Sequence, residues 1–244
     1  MSCKKNHNTP TVIDKAGFTL VELMIVVFVS SLVMAAVVTV YIAQSRSYSE
    51  HDDIASIQQG LRGALSILSM EIRQAGCDPT ESDVPGILAA TGTGFQFTMD
   101  VRGNAVNPNA ADGDVDDVDE NVVYGFAADT DNDGIVDNGG VNWNGTGTLG
   151  RAIGGGVLEP LADNIEALEF NYILEDGTTS LAPANLGNIR AVQVSLLARA
   201  ANPAQGFLNT STYTTASGVV WDPPNDNFRR RLMVINIQCR NMGY

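Results

Sequence analysis

The sequence predicts an α+β protein in which one long N-terminal helix packs on an antiparallel β-sheet head. An apolar run is followed by a second helical segment with apolar residues at three- and four-residue spacing. After residue 77 come short segments that alternate apolar and polar residues and are rich in turn residues. The net charge of −14 excludes a nucleic-acid binder that works through a general basic surface, so no direct nucleic-acid binding is predicted.

The first element is a membrane span over residues 18–43. The apolar run Phe18–Ile42 contains a single charge, Glu22, and as a helix it extends about 37 Å. That length crosses a hydrocarbon core of about 30 Å. The run is too long for a signal-peptide core, and no small-x-small cleavage site follows it. Because Lys4, Lys5 and Lys15 precede the span, we expect a single-pass inner-membrane protein with its head in the periplasm.

The helix is expected to continue as an amphipathic segment over residues 44–76. Apolar residues recur along one face, and Gly76 and Pro79 end the pattern. The whole helix is predicted from about Phe18 to Ala75. The apolar face consists of Ile54, Ile57, Leu61, Leu65, Leu68 and Ile72. A coiled coil is the alternative, but the stripe covers too few heptads to favour it.

The head, residues 77–244, is predicted to be rich in β-strands. A turn at 175–177 separates two of the strongest candidates and indicates an antiparallel pair. Residues 200–227 are predicted to form a long loop, and Gly154–Gly156 a flexible turn. The predicted strands are Phe95–Val101, Val122–Ala127, Glu166–Leu174, Arg190–Ala198 and Leu232–Cys239.

The junction before the apolar run reads Lys15-Ala16-Gly17-Phe18-Thr19-Leu20-Val21-Glu22. This motif resembles the cleavage and methylation site of type IV prepilins and type II secretion pseudopilins. The resemblance implies that a prepilin peptidase removes the leader, residues 1–17, by cutting after Gly17, and then methylates Phe18. It also implies a filament-assembly role for Glu22, which would pair with its own amino terminus or with that of a neighbour. A carboxylate within a membrane span is costly and usually functional.

Four further blocks resemble the PilW family of minor pilins, and they indicate a pilin-like fold. They are Leu61–Gly76, Asp163–Tyr172, Val192–Arg199 and Asn227–Asn241. Thr39 stands where many major pilins carry proline, which favours a minor subunit. The resemblance implies a structural subunit that primes or caps a type IV pilus and serves assembly, adhesion, twitching motility or DNA uptake.

The partners implied by this resemblance are other major and minor pilins, the prepilin peptidase and inner-membrane lipid. The chain is then expected to reach the cell surface within a pilus. Two alternatives stay open. One is a subunit like the minor pseudopilin J of type II secretion, and the other is a membrane-anchored calcium-dependent adhesin.

The acidic loop 112–137 contains ten carboxylates and no basic side chain. Its segment 129–137 matches the first nine positions of a D-x-D-x-D-G calcium loop. The predicted calcium ligands are Asp129, Asp131, Asp133, Asp137 and the carbonyl of Ile135. Gly140 replaces the final glutamate of an EF-hand, so a shorter calcium loop is predicted, with a solvated acidic turn as the alternative. A weaker echo consists of Asp112, Asp114, Asp116 and Asp119.

The remaining reactive residues predict a disulfide and no catalysis. Cys3 lies in the leader, whereas Cys77 and Cys239 face an oxidising compartment and are predicted to pair. His51 is the single histidine after the leader, and no catalytic or zinc-ligand set stands at recognisable spacing. We therefore expect neither an enzyme nor a small-molecule substrate. Arg229–Arg231 are expected to pair with the acidic loop.

Overall fold

The computed structural model describes residues 17–103, 107, 110–117, 119–137 and 139–243. The predicted leader, with Cys3 and its three lysines, lies outside the described residues apart from Gly17. The chain divides between Ser49 and Glu50 into two compact units. Helix α1, Leu20–Ile72, contributes to both.

The first unit is the apolar part of α1. Its side chains are exposed throughout, and α1 is the one helix of the described chain long and apolar enough to cross a membrane. Three of its hydroxyl side chains are satisfied locally. Ser30 and Ser31 donate to the carbonyls of Val27 and Phe28, and Thr39 donates to the Ala35 carbonyl. These three hydroxyls can therefore enter an apolar medium with their hydrogen bonds made.

The second unit begins with the remainder of α1, which packs on the sheet. The predicted apolar stripe is confirmed, since Leu61, Leu65, Leu68 and Ile72 are all buried in the main core. Gly76 ends the helical segment with a φ of +72°. A Cβ at Gly76 would lie 2.8 Å from the Met242 sulfur, so both the backbone angle and the close packing require glycine.

One antiparallel sheet of eight strands forms the head, in the order β1-β2-β3-β4-β5-β7-β10 with β6 paired to β5. Strands β8 and β9 form a separate two-stranded sheet. The strands are β1 Ile87–Ala90, β2 Phe95–Thr98, β3 Asn121–Phe126, β4 Gly147–Ile153, β5 Glu159–Leu174, β6 Thr179–Ser180, β7 Ile189–Arg199, β8 Tyr213–Thr214, β9 Val220–Trp221 and β10 Arg230–Gln238.

Aromatic side chains fill the core between the helix and the sheet. The ring of Phe95 lies 5.2 Å from that of Phe97 and 5.5 Å from that of Tyr172, centroid to centroid. The Tyr172 hydroxyl donates to the carbonyls of Thr91 and Gly94, which satisfies its buried polar atom. The core is therefore continuous from α1 across β2 and β5.

The five predicted strands are present with shifted ends, and the antiparallel β5–β7 pair is confirmed. Strand β5 begins at Glu159, seven residues before the predicted start, because its first half pairs with β4. The sequence missed β1, β4, β6, β8 and β9. Strands β8 and β9 lie inside the predicted loop 200–227. Gly154 and Gly155 adopt positive φ in the turn after β4, as the glycine run indicates.

Candidate functional site

The side chains of Thr19 and Glu22 cap the start of α1. The Thr19 amide and hydroxyl both approach Glu22 Oε2, at 3.2 and 3.3 Å, and the Glu22 amide donates to Thr19 Oγ1 at 3.2 Å. This reciprocal arrangement is a capping box. The sequence analysis missed it, although the spacing Ser/Thr-x-x-Glu before an apolar run is its signature.

Gly17 and Phe18 precede the helix as exposed, non-helical residues. The predicted cleavage point therefore lies outside regular secondary structure, which keeps its backbone accessible to a peptidase. In this chain the Glu22 carboxylate is held by Thr19, one helical turn from Phe18. Pairing of Glu22 with an amino terminus stays a prediction.

The acidic loop brings three of the predicted calcium ligands together between β3 and β4. One carboxylate oxygen from each of Asp129, Asp131 and Asp137 lies within 4.8 Å of the others. Asp129 is 8% exposed and Asp137 is 5% exposed, whereas Asp131 faces solvent. Burial raises the pKa of Asp129. Two buried carboxylates thus converge with a third at the surface.

Backbone geometry fixes this convergence. Asp129 accepts hydrogen bonds from the amides of Asp133 at 3.1 Å and Gly134 at 2.9 Å, and Asp137 accepts from the Thr130 hydroxyl at 2.7 Å. Gly134 has a φ of +87°, and a Cβ there would lie 2.5 Å from the Leu168 carbonyl oxygen. Only glycine therefore lets the loop pass against β5.

The predicted ligand Asp133 does not join this set of carboxylates. Its two oxygens accept from the Ile135 amide at 2.8 Å and from Asn142 Nδ2 at 2.6 Å, because the loop closes against residue 142. Ile135 is held at the sheet by a β-bridge to Ala167. The structure thus brings Asp129, Asp131 and Asp137 together, and the assignment of Asp133 and of the Ile135 carbonyl as ligands stays a prediction.

The weaker acidic echo is rearranged relative to the sequence pattern. Asp112, Asp114 and Asp117 bring one carboxylate oxygen each within 4.8 Å of one another. Asp119, which the pattern includes, instead pairs with Arg102 at 2.9 Å. A hydrogen bond with Asp114 raises the pKa of Asp116. The echo therefore does not reproduce the spacing of a calcium loop.

Comparison with known proteins places these features in a family context. Residues 14–38 match the prokaryotic N-terminal methylation motif, and residues 145–241 match type IV pilus-assembly protein W. A solved structure, a type IV-like pilin from Thermus thermophilus, is 18% identical over 77% of this chain and 97% of that chain, with a TM-score of 0.45. A comparison with curated protein sequences found no match.

The chain is thus similar to prepilin-type proteins at its N-terminus and to type IV pilus-assembly protein W in its head. Its methylation-motif match contains the capping box and most of the apolar part of α1. Its PilW match begins just before β4 and ends just after β10, so it contains five of the eight strands of the main sheet. The prediction of a prepilin-type N-terminus and a PilW-type head is confirmed.

The part of the head that matches PilW contains a buried cluster of ion pairs. The cluster includes Arg230, which the sequence had predicted to pair with the acidic loop. The Arg230 and Glu166 side chains are both 0% exposed and form an ion pair. Arg230 also contacts Asp226 at 2.7 Å, and Arg199 contacts Glu166 at 3.2 Å. Burial raises the pKa of Glu166, although the adjacent Arg230 opposes that shift. Four charged groups thus neutralise one another inside the head.

Arg229–Arg231 do not pair with the acidic loop, so that expectation was wrong. Strand β10 places Arg230 over Glu166 on β5, while Arg229 reaches Glu50 on α1 at 2.7 Å. Arg231 is exposed and has no ion pair among the described residues. The three consecutive arginines therefore lie in three different environments at the start of β10.

A second missed group ties α1 to the sheet. Glu71 is buried on α1, accepts from the Tyr124 hydroxyl at 2.5 Å and pairs with Arg151 at 2.8 Å. Desolvation and the adjacent Glu71 carboxylate raise the pKa of Tyr124. The sequence offers one sign that Glu71 is buried. Glu71 stands three residues after Leu68 and directly before Ile72, which places it beside the buried apolar stripe of α1.

Cys77 and Cys239 are free thiols in the structure, where the sequence predicts a disulfide. Both contact the main core, at the end of α1 and after β10. The neighbouring Asn241 side-chain amide donates to the carbonyls of Arg73 and Gln74, so the segment after β10 meets the end of α1. The pairing itself stays a prediction for the oxidised protein.

Proposed function

We propose that this protein is a minor pilin that primes or caps a type IV pilus. The observation that carries the proposal is a prepilin-type N-terminus joined to a PilW-type head in one chain. The apolar half of α1 is exposed along its whole length, which suits packing against lipid before assembly and against neighbouring helices afterwards. Its partners are then the major pilin, other minor pilins and the prepilin peptidase.

The proposed topology follows from the same segment. The basic leader stays on the cytoplasmic side, the apolar half of α1 spans the inner membrane, and the head lies in the periplasm. After cleavage at Gly17, Phe18 becomes the methylated terminus. The capping box supports a further step, because Thr19 holds Glu22 in place without using a charge. Glu22 therefore remains available to a positively charged terminus of a neighbour.

A deletion strain complemented with variants tests this role. We expect the wild-type chain to restore surface pili, and Glu22→Ala to leave the chain membrane-bound but absent from sheared filaments. The matched control is Ser30→Ala, which removes a polar group from the same exposed segment and is expected to behave as wild type. Unchanged pili together with defective protein secretion in the deletion strain would instead support the pseudopilin alternative.

We further propose that the acidic loop binds calcium through Asp129, Asp131 and Asp137. The support is specific, because these groups converge within 4.8 Å and none accepts a hydrogen bond from a basic side chain in the described part of the chain. Carboxylate oxygens are the ligands that calcium prefers. Bound calcium would neutralise the two buried carboxylates, which otherwise repel each other. The loop would then present a fixed surface next to β5.

Calorimetric titration of the full chain in detergent tests this second proposal. We expect calcium to bind the wild-type protein, and Asp131→Asn to weaken binding by about tenfold or more, since it removes an exposed ligand without disturbing the buried pair. Asp222→Asn is the matched control, because Asp222 is exposed and has no ion pair among the described residues. Equal binding by the two variants would overturn the assignment.

A further inference from the structure

The two edges of the main sheet differ in how they are protected. Strand β1 forms one edge, is four residues long and has an irregular register with β2. Strand β10 forms the other, is nine residues long and runs without a register shift along β7. Short strands and bulges are the usual means of blocking edge-to-edge pairing. Within the described chain, β1 has both of them and β10 has neither.

The hydrogen-bond pattern shows which backbone groups β10 leaves open. The Cys239 amide donates to Arg190, and the Arg229 carbonyl accepts from Ala200. In an antiparallel pair, hydrogen-bonded positions alternate. The odd-numbered residues of β10 therefore bond to β7, and the even-numbered residues direct their amides and carbonyls toward the open edge. Those residues are Arg230, Leu232, Val234, Asn236 and Gln238.

Beside this edge runs a groove between α1 and β10. It has a volume of about 840 Å³ and is lined by α1 residues 62–74 and by residues from Met233 to Asn241. A second, smaller cavity lies between α1 residues 54–58, loop residues 207–213 and the start of β10. Together we call them the basic seam, because six arginines line it and no Asp or Glu does among the described residues. They are Arg62, Arg73, Arg229, Arg230, Arg231 and Arg240.

This charge distribution is unusual for so acidic a chain. Six of its eleven arginines line the basic seam, although the chain as a whole carries a net charge of −14. Arg229 is paired with Glu50, and Arg230 with Glu166 and Asp226, so the net positive charge of the seam comes from the other four arginines. Arg62 and Arg73 are exposed on α1 and have no ion pair in the described residues. They line the same cavity as the apolar residues Leu65 and Met70. A ligand for this seam needs carboxylates together with apolar side chains.

We propose that β10 and the basic seam bind an extended acidic segment of a neighbouring filament subunit as an added β-strand. The five open positions of β10 supply the main-chain hydrogen bonds, and alternate carboxylates of the incoming strand face Arg62, Arg73 and Arg240. Arginine suits this role because its guanidinium binds carboxylates through paired donors. This inference rests on the proposed role as a filament subunit, and it adds the chemistry of one contact.

Photo-crosslinking of the full chain in piliated cells tests the proposal. A benzoylphenylalanine probe replaces Asn236 on the open edge, and the matched control replaces Ala89, which is exposed on the opposite edge. We expect Asn236 to crosslink to an acidic peptide of another pilus subunit, identified by mass spectrometry, and Ala89 not to do so. The crosslink is read in both the membrane and the sheared-filament fractions, so it is measured whether or not filaments form.

Two further variants separate binding from folding. Arg62→Glu combined with Arg73→Glu reverses two exposed charges and should reduce the Asn236 crosslink about tenfold. Val234→Pro removes one outward amide while leaving the β7 ladder intact, and it should also weaken the crosslink. Filament incorporation without an Asn236 crosslink would overturn this inference alone. So would a crosslink to a second copy, or one that persists in the charge-reversed variant. Absence of the chain from filaments would instead contradict the proposed function.

Discussion

Two regions of the head bury carboxylates in opposite ways. Glu166 is fully buried and is surrounded by Arg230 and Arg199, whereas Asp129 and Asp137 are buried with only amides and a hydroxyl as hydrogen-bond donors. The first region supplies its own cations. The second has none among the described residues, yet it adds Asp131 to the same point. The difference shows where the fold is self-sufficient and where an external cation would stabilise it.

The largest expected effect comes from breaking the self-sufficient region. Arg230→Met leaves Glu166 buried without its main cation and should lower the free energy of unfolding by about 3–5 kcal/mol. Denaturant unfolding in detergent measures the change. The control Arg231→Met removes an exposed arginine with no ion pair and should change stability by about 0.5 kcal/mol or less. Equal losses in the two variants would contradict the comparison.

The next effect comes from supplying the other region with a cation. Calcium at about one hundred times its dissociation constant should stabilise the folded chain by about 2.7 kcal/mol. Thermal unfolding with and without a chelator measures this gain. At the same calcium concentration, a tenfold loss of affinity in Asp131→Asn should reduce this gain to about 1.4 kcal/mol, while Asp222→Asn should keep it. A chelator-insensitive wild type would show that the acidic loop is a solvated turn.

A smaller effect concerns pH in the absence of metal. Burial raises the pKa of Asp129, so between the ordinary pKa and the raised one the folded state binds more protons than the unfolded state. The contribution of Asp129 to stability therefore falls as pH rises through that range. In a chelator, the stability of Asp129→Asn relative to wild type should rise as the pH increases above about 4, the ordinary pKa of an aspartate. A constant difference would contradict this account of the loop.

The smallest effect concerns the thiols of Cys77 and Cys239, which are weak acids that burial keeps protonated. Burial raises the pKa of Cys239 to about 12, and it also raises the pKa of Cys77. In the reduced, folded protein both thiols should react slowly with iodoacetamide at neutral pH, and the buried Cys239 more slowly than Cys77. Labelling followed by peptide mass spectrometry measures the two rates. If neither thiol reacts after unfolding without reductant, the disulfide that the sequence predicts is present.

The sequence predicts those features that depend on local periodicity. The apolar run, the stripe from Leu61 to Ile72 and the strands β5, β7 and β10 all follow from spacing, and the structure bears them out. Strand β4 was not predicted, because Gly147 and Gly150 weaken its strand pattern. Gly150 is required there because the packing of Leu158 leaves no room for a side chain at that position. Such packing is a tertiary property.

The same distinction between local sequence pattern and tertiary packing applies to the candidate sites. The junction at Gly17 and Phe18 is a contiguous motif and was predictable, and so was the approach of Asp129, Asp131 and Asp137 within one loop. Partners from distant segments were not. Glu166 and Arg230 are 64 residues apart and meet only because β7 lies between β5 and β10. Glu71 and Arg151 are 80 residues apart and meet because α1 packs on the sheet. The hydrogen bond from Asn142 to Asp133 could not be predicted, because Asn142 lies beyond the loop template.

The proposed function makes this chain a processed subunit of a type IV pilus. The N-terminal mass spectrum of the chain recovered from sheared surface filaments tests this proposal most directly. We expect a chain that lacks residues 1–17 and begins with N-methylated Phe18. An intact leader on the mature protein, or the absence of the chain from filaments that other subunits form, would contradict it.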